Sequence, residues 1–149
     1  MSLLRLFAGG PIVLRGVFAT LLSLLASGLV MAVDQFPFDQ ELLLDAAPMR
    51  PAKRLPILTV APNGNATIDL WCKTVTARVE LSDAAVKIEP GPLPEALPEM
   101  MSSGQCTPER IQADQDLLDA LVQTTTWRMQ GAALVLAGAK PLSFRPATN

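Results

Sequence analysis

The chain has 149 residues, of which 50% are hydrophobic, and its formal net charge at pH 7 is −2. It contains no histidine and no tyrosine, so the usual general base near neutral pH is missing and a serine–histidine hydrolase is excluded. The slightly acidic balance argues against nucleic acid as a partner.

The first residues have the pattern of a targeting segment. Arg5 and Arg15 precede an uncharged apolar stretch, 16–33, in which small residues continue up to Ala32. This pattern predicts a signal peptide, 1–32, that is cleaved after Ala32. The alternative is an uncleaved anchor, because the uncharged stretch is nearly long enough to span a bilayer.

The remaining segment, from Val33 onward, has the size of one domain. We expect it to be periplasmic or secreted and monomeric. Its two cysteines, Cys72 and Cys106, form an even number in an oxidising compartment, which predicts a disulfide between them. Because no cysteine precedes Cys72, we do not expect a lipid-anchored protein.

The N-terminal part of this segment, 33–54, contains a short apolar run, 42–44, followed by a proline-containing loop. We predict one short strand and a loop here, with the core of the domain at 55–149. The first clear unit of the core is a hairpin, because two strand-like runs flank Asn63-Gly64, a dipeptide typical of tight turns.

Hydrophobic alternation continues through the next strand and predicts a sheet with one buried face. The residues expected on that face are Ile68, Leu70, Cys72, Val75, Ala77, Val79 and Leu81. A turn at Ser82-Asp83 leads to another strand, after which four prolines and a glycine from Pro90 to Pro98 predict a long loop over 89–105.

A helix is predicted to begin at Thr107-Pro108-Glu109, which combines a hydroxyl cap, a proline and an acid near the positive end of the helix dipole. Its expected buried side comprises Ile111, Leu117, Leu118, Leu121 and Val122. Asp114, Asp116 and Asp119 point in several directions without the spacing of a calcium loop, so we expect a solvated helix face and no metal site.

Three short strands are predicted to close the domain, at 126–129, 133–136 and 141–145, with Trp127 packed inside. The fold class is therefore α+β and mostly β. We expect a small antiparallel sheet with one helix packed on it and one disulfide.

This order of elements resembles the META-domain family, the HslJ-like heat-shock proteins of bacterial envelopes. The resemblance covers about 42–145 and depends on the Asn63-Gly64 turn, the strand ending at Cys72, the loop reaching Cys106, the helix containing 117–121, and the hairpin with Trp127, Gly131 and the run 134–136. It implies a compact, curved antiparallel sheet, partly closed like a barrel, with the helix covering an opening. It also implies a role linked to envelope stress.

One candidate binding patch comes from the strand that ends near Cys72. Strict alternation places Trp71 beside Asp69 and Lys73, on the face opposite Cys72, and an exposed tryptophan can mark a binding surface. The alternative is that Phe36, Phe38 or the run 42–44 covers that face, so that Trp71 belongs to a minor core.

No constellation of catalytic residues is found, so we expect a protein that is not an enzyme and has no cofactor. The leading hypothesis is an exported META-like interaction module that contacts an envelope protein. One alternative is a periplasmic carrier of a small apolar ligand. A second is a hydrolase using Glu95 and Glu99, although nothing suggests that either carboxylate is desolvated.

Overall fold

The computed structural model describes residues 34–50 and 54–148, and all of them lie within one compact unit, 33–149. The predicted signal peptide, 1–32, and its cleavage after Ala32 fall outside the described residues.

Eight strands and two helices make up the described chain. The strands are β1 (Leu42–Leu44), β2 (Ile57–Val60), β3 (Asn65–Asp69), β4 (Thr74–Ser82), β5 (Ala85–Pro90), β6 (Thr124–Gln130), β7 (Ala133–Gly138) and β8 (Leu142–Pro146). The helices are α1 (Pro98–Ser102) and α2 (Pro108–Val122).

The strands form a closed antiparallel barrel in which each pairs with its neighbours in sequence. Closure depends on the three-residue strand β1, which pairs with β2 on one side and with β8 on the other. The prediction of a curved, barrel-like antiparallel sheet is confirmed. Closure gives every strand a partner on both sides, although β5 and β6 pair only at Ala85 and Thr126.

Side chains fill the barrel interior, because alternate residues of each strand point inward. The largest fully buried apolar side chains are Phe144, Leu42, Leu58, Ile68, Leu70, Leu121, Leu134, Leu136 and Val60. These come from β1, β2, β3, β7 and β8, from the residue that follows β3, and from α2, and they join buried residues of β4, β5 and β6 in one cluster. The core is therefore continuous across the sheet.

Helix α2 joins β5 to β6, two strands that pair at a single register position, Ala85 with Thr126. As predicted, the helix is capped by Thr107, whose hydroxyl accepts a hydrogen bond from the backbone N–H of Arg110 at 3.3 Å. Leu117, Leu118 and Leu121 are buried, as expected. The prediction for Val122 is wrong, since it is 57% exposed.

Helix geometry alone would place Val122 about 40° from the buried Leu118, on the same side of α2. Val122 is, however, the last residue of α2, where the chain leaves the helix for β6.

The predicted loop over 89–105 contains more regular structure than expected. Pro90 is the last residue of β5 and still pairs with Ala77. Pro98 begins the short helix α1, where a missing backbone N–H has no consequence. The prolines therefore mark the end of β5 and the start of α1, and they do not prevent either element from forming.

Trp127 is buried, as predicted, and lies next to the single position at which β6 pairs with β5. Its indole N–H donates to the carbonyl oxygen of Asp83 at 2.8 Å, and its ring meets that of Phe36 edge-on with centroids 5.2 Å apart. Trp127 thus connects the β4–β5 turn to the N-terminal segment.

The Asn63-Gly64 turn joins β2 to β3, as predicted. The side chain of Asn63 accepts the backbone N–H of Asn65 at 2.9 Å, and Gly64 adopts a φ of 84°. A Cβ at Gly64 would lie 2.5 Å from the carbonyl oxygen of Val79 on β4. Only glycine combines this left-handed backbone with so close an approach.

Gly64→Ala should therefore lower the free energy of unfolding by about 2–4 kcal/mol, from steric overlap added to backbone strain. Gly131→Ala is the matched control, because Gly131 also has a positive φ, 62°, but an added Cβ would have no neighbour within 4 Å. The control should lose only about 1 kcal/mol in urea denaturation. Equal losses would contradict the role assigned to the Val79 contact.

Candidate functional site

The predicted disulfide is present and holds the corner between β3 and β4. Cys72 follows β3, Cys106 precedes α2, and their Cα atoms are 5.0 Å apart. Both residues are only 1% exposed. The bridge therefore ties the corner formed by residues 70–73 to the start of α2.

Asp114 makes a second connection between α2 and the same corner. Its two carboxylate oxygens accept the backbone N–H groups of Cys72 and Lys73, each at 3.2 Å, and the N–H of Trp71 also bonds to it. Asp114 is completely buried. The prediction of a solvated face is therefore wrong for Asp114.

Asp116 and Asp119 are exposed, as expected. The contrast follows from helix periodicity, because Asp114 lies four residues after the buried Arg110 and three before the buried Leu117. Its position on the inner stripe could have been found from the sequence. Its partners could not, because they are backbone groups of a distant segment.

Burial raises the pKa of Asp114 above its ordinary value of 3.8, since the charged carboxylate loses its hydration. The three backbone hydrogen bonds and the nearby Lys73 ammonium act in the opposite direction without cancelling the effect of burial. A carboxyl group in this position is used structurally, because its oxygens are occupied by main-chain donors.

Two buried cations connect further loops to this corner. The Lys73 ammonium donates to the carbonyl oxygen of Pro94 at 2.6 Å. The Arg110 guanidinium donates to the carbonyl oxygens of Gln105 at 2.9 Å and of Met49 at 2.8 Å. The corner thus organises the proline-rich loop, the approach to α2 and the loop after β1.

A small cleft of about 200 Å³ opens beside this corner, between α2, the end of β1 and the β7–β8 turn. Its lining residues are Leu44, Asp45, Ala46, Trp71, Ala113, Asp116, Leu117, Ala120, Lys140, Pro141, Leu142 and Ser143. Most of the lining is apolar, and the charged residues come from three different elements. The sequence did not predict this cleft, because its walls are far apart along the chain.

Trp71, from the predicted patch, is half-buried and lines the cleft. Its indole N–H is buried and has no hydrogen-bond acceptor among the described residues. Leu44 of β1 lines the same cleft, whereas Phe36 and Phe38 pack against each other with ring centroids 5.0 Å apart. Of the segments proposed to cover Trp71, the β1 run is the one that reaches the cleft.

The other two residues of the predicted patch lie in different environments. Lys73 is only 9% exposed and is engaged with the proline-rich loop. Asp69 accepts a hydrogen bond from the Thr74 hydroxyl and forms an ion pair with Arg54 at 3.3 Å. The structure therefore does not gather Trp71, Asp69 and Lys73 into one exposed surface, and binding by these residues stays a prediction.

The residues considered for catalysis lie in open surroundings. Glu95 and Glu99 are both exposed. Among residues 34–50 and 54–148, no group of three or more cysteine, aspartate or glutamate side chains could hold a metal ion. In the same part of the chain, neither helix is long and apolar enough to cross a membrane.

Comparison with known proteins gives a family and a fold. The family model described as META domain matches residues 40–149. The chain is similar to a solved structure whose title reads only "NMR structure of the protein". The two sequences are 17% identical, the TM-score is 0.52, and the match covers 72% of this chain and 88% of that chain. At this identity the likeness concerns the fold alone. No curated protein matches the chain.

Asp114→Asn should lower the free energy of unfolding by about 1–3 kcal/mol, because an amide N–H₂ would replace an oxygen that accepts a backbone N–H. Because the folded-state pKa lies above the unfolded one, the contribution of Asp114 titration is fully present below the unfolded value and is lost as pH rises through the folded value. The variant does not titrate there, so its deficit should shrink as pH rises above the ordinary range of a carboxyl group.

Urea denaturation at several pH values measures both effects. Asp116→Asn is the control, because this carboxylate is exposed and should change stability by less than about 0.5 kcal/mol. A deficit of Asp114→Asn that grows with rising pH would contradict the assigned direction.

Proposed function

The chain belongs to the META domain family, and on that premise we propose that it is an exported, non-enzymatic interaction module of the cell envelope. In this proposal the Trp71 cleft receives an apolar side chain of a partner polypeptide. A link to envelope stress is the role expected from the resemblance of the sequence.

The observation that carries the proposal is the cleft itself. An apolar hollow that includes a half-buried tryptophan is typical of the pockets that receive hot-spot side chains at protein interfaces. Its volume of about 200 Å³ is below the range of about 300–1,000 Å³ common for small-molecule sites. One side chain suits this space better than a whole ligand.

The filled barrel weighs against the carrier alternative. Barrels that carry apolar ligands keep an internal cavity, but here Phe144, Leu58, Leu134 and Leu136 occupy the interior and are at most 1% exposed. The hydrolase alternative has no support from Glu95 and Glu99, because both side chains are exposed. An interaction at the surface fits the structure better than either.

The disulfide supports a location outside the cytoplasm, because bridges of this kind persist in oxidising compartments. We propose the periplasm or the extracellular space, reached after cleavage of 1–32.

Protein isolated from the envelope should resist thiol alkylation until it is unfolded and reduced, and N-terminal sequencing should begin at Val33. Cys72→Ser is the control for alkylation, since it leaves Cys106 as one reactive thiol. Two thiols that react without reductant would contradict the compartment, and a start at Met1 would contradict the cleavage.

Binding at the cleft can be followed through the two indole N–H signals in a proton–nitrogen correlation spectrum, assigned with Trp71→Phe. The probes are the blocked peptides acetyl-Gly-Ser-Leu-Ser-Gly-amide and its alanine counterpart. We expect the leucine peptide to shift the Trp71 signal saturably, because its side chain enters the cleft, and the alanine peptide to have little effect.

Trp127 is the internal control, because its indole N–H is bonded to Asp83 and does not line this cleft. Ala113→Phe, which fills the cleft, should abolish the shift while thermal unfolding verifies the fold. Equal shifts with both peptides, or a leucine effect that survives in Ala113→Phe, would overturn the proposal.

A further inference from the structure

The exposed face of α2 borders the cleft and carries charge of one sign. Its charged residues are Glu109, Asp116 and Asp119, whereas the basic residue of the helix, Arg110, is only 3% exposed. Asp116 also lines the cleft. A segment seated in the cleft and continuing along α2 would therefore meet carboxylates.

These carboxylates are ordered without being neutralised. The side-chain amide of Gln112 donates to Asp116 at 2.8 Å, and that of Gln115 donates to Asp119 at 3.0 Å. Surface helices often place lysine four residues from an acid, which cancels the charge. Here the amide neighbours orient the oxygens and leave their negative charge available to a partner.

No cation of the described chain pairs with Asp116 or Asp119, since the ion pairs within it join Arg54 to Asp69 and Lys87 to Glu89. Lys140 on the β7–β8 turn and Asp45 after β1 also line the cleft and carry opposite charges, whereas the charge that α2 contributes to the lining is the carboxylate of Asp116. A basic partner would therefore be attracted most strongly on the α2 side.

We propose that the partner segment carries lysine or arginine residues directly beside its apolar anchor, and that these lie along the Asp116–Asp119 side of α2. This inference depends on the proposed function, because the cleft must first bind an apolar side chain. The apolar anchor fixes the position of the segment, and opposite charge contributes mainly to selectivity and association rate.

The spacing fits a polypeptide. Asp116 and Asp119 are three residues apart on one side of a helix, which separates them by about 4.5 Å along its axis. Successive side chains of an extended peptide are about 3.3 Å apart along the strand and point to opposite sides, so of two adjacent lysines one faces the same side as the apolar anchor. The long side chain of that lysine can reach either carboxylate.

The test compares two blocked peptides, acetyl-Gly-Ser-Leu-Lys-Lys-Ser-Gly-amide and its counterpart with glutamate at both lysine positions. Titration is again monitored at the Trp71 indole signal. At low salt the lysine peptide should bind at least about tenfold tighter than the glutamate peptide, because opposite charges attract and like charges repel. The ratio should fall at high salt, where the Debye length shortens to about 3 Å.

Asp116→Asn combined with Asp119→Asn should reduce the preference for lysine to less than about threefold. The matched control is Glu80→Gln combined with Glu89→Gln, which changes net charge equally on the exposed residues of β4 and β5. The control should keep the preference.

Two results would overturn the inference and leave the proposed function in place. One is equal binding of both peptides, and the other is an equal loss of preference in the two double variants, which would indicate net charge alone. A Trp71 signal that responds to no leucine peptide would instead contradict the proposed function itself, and the inference with it.

Discussion

The contact between the buried Asp114 carboxylate and the backbone of residues 71–73 is the constraint on which the site depends. A corner between two strands exposes N–H groups that have no partner in the sheet, and burying them without acceptors is unfavourable. Asp114 supplies acceptors from α2 and so fixes the helix against the corner. The disulfide beside it makes the same connection covalently.

This double connection explains why the surroundings of the corner are organised by charged groups inside the protein. Lys73 and Arg110 donate to main-chain carbonyl oxygens of three loops, so segments without regular structure obtain fixed partners. Buried charges of this kind contribute little net stability when compared with apolar replacements. Their value here is geometric, because they define the position of α2 and of the loop after β1.

The cleft is a consequence of that geometry. Its walls come from α2, from the end of β1 and from the β7–β8 turn, and Trp71 comes from the corner itself. The closed barrel has a filled interior, and its strands are paired all round with one short contact between β5 and β6, so binding inside the barrel or by strand addition has little room in the described barrel. The surface cleft beside the helix offers shape, apolar area and charge together.

The sequence by itself determined the elements whose signals are local. Alternation predicted the strands, Asn63-Gly64 predicted the first hairpin, Thr107-Pro108 predicted the start of α2, and two cysteines in an exported chain predicted their bridge. Each signal arises from the conformation or chemistry of neighbouring residues, or from a simple count.

Only the tertiary structure decided barrel closure by β1, the burial of Asp114 and Lys73, and the cleft at Trp71. Each depends on which distant segments meet. The helix period places Asp114 on the inner side of α2. A buried carboxylate is tolerated there because backbone N–H groups about forty residues away donate to it, and a local sequence pattern carries no signal for such distant donors.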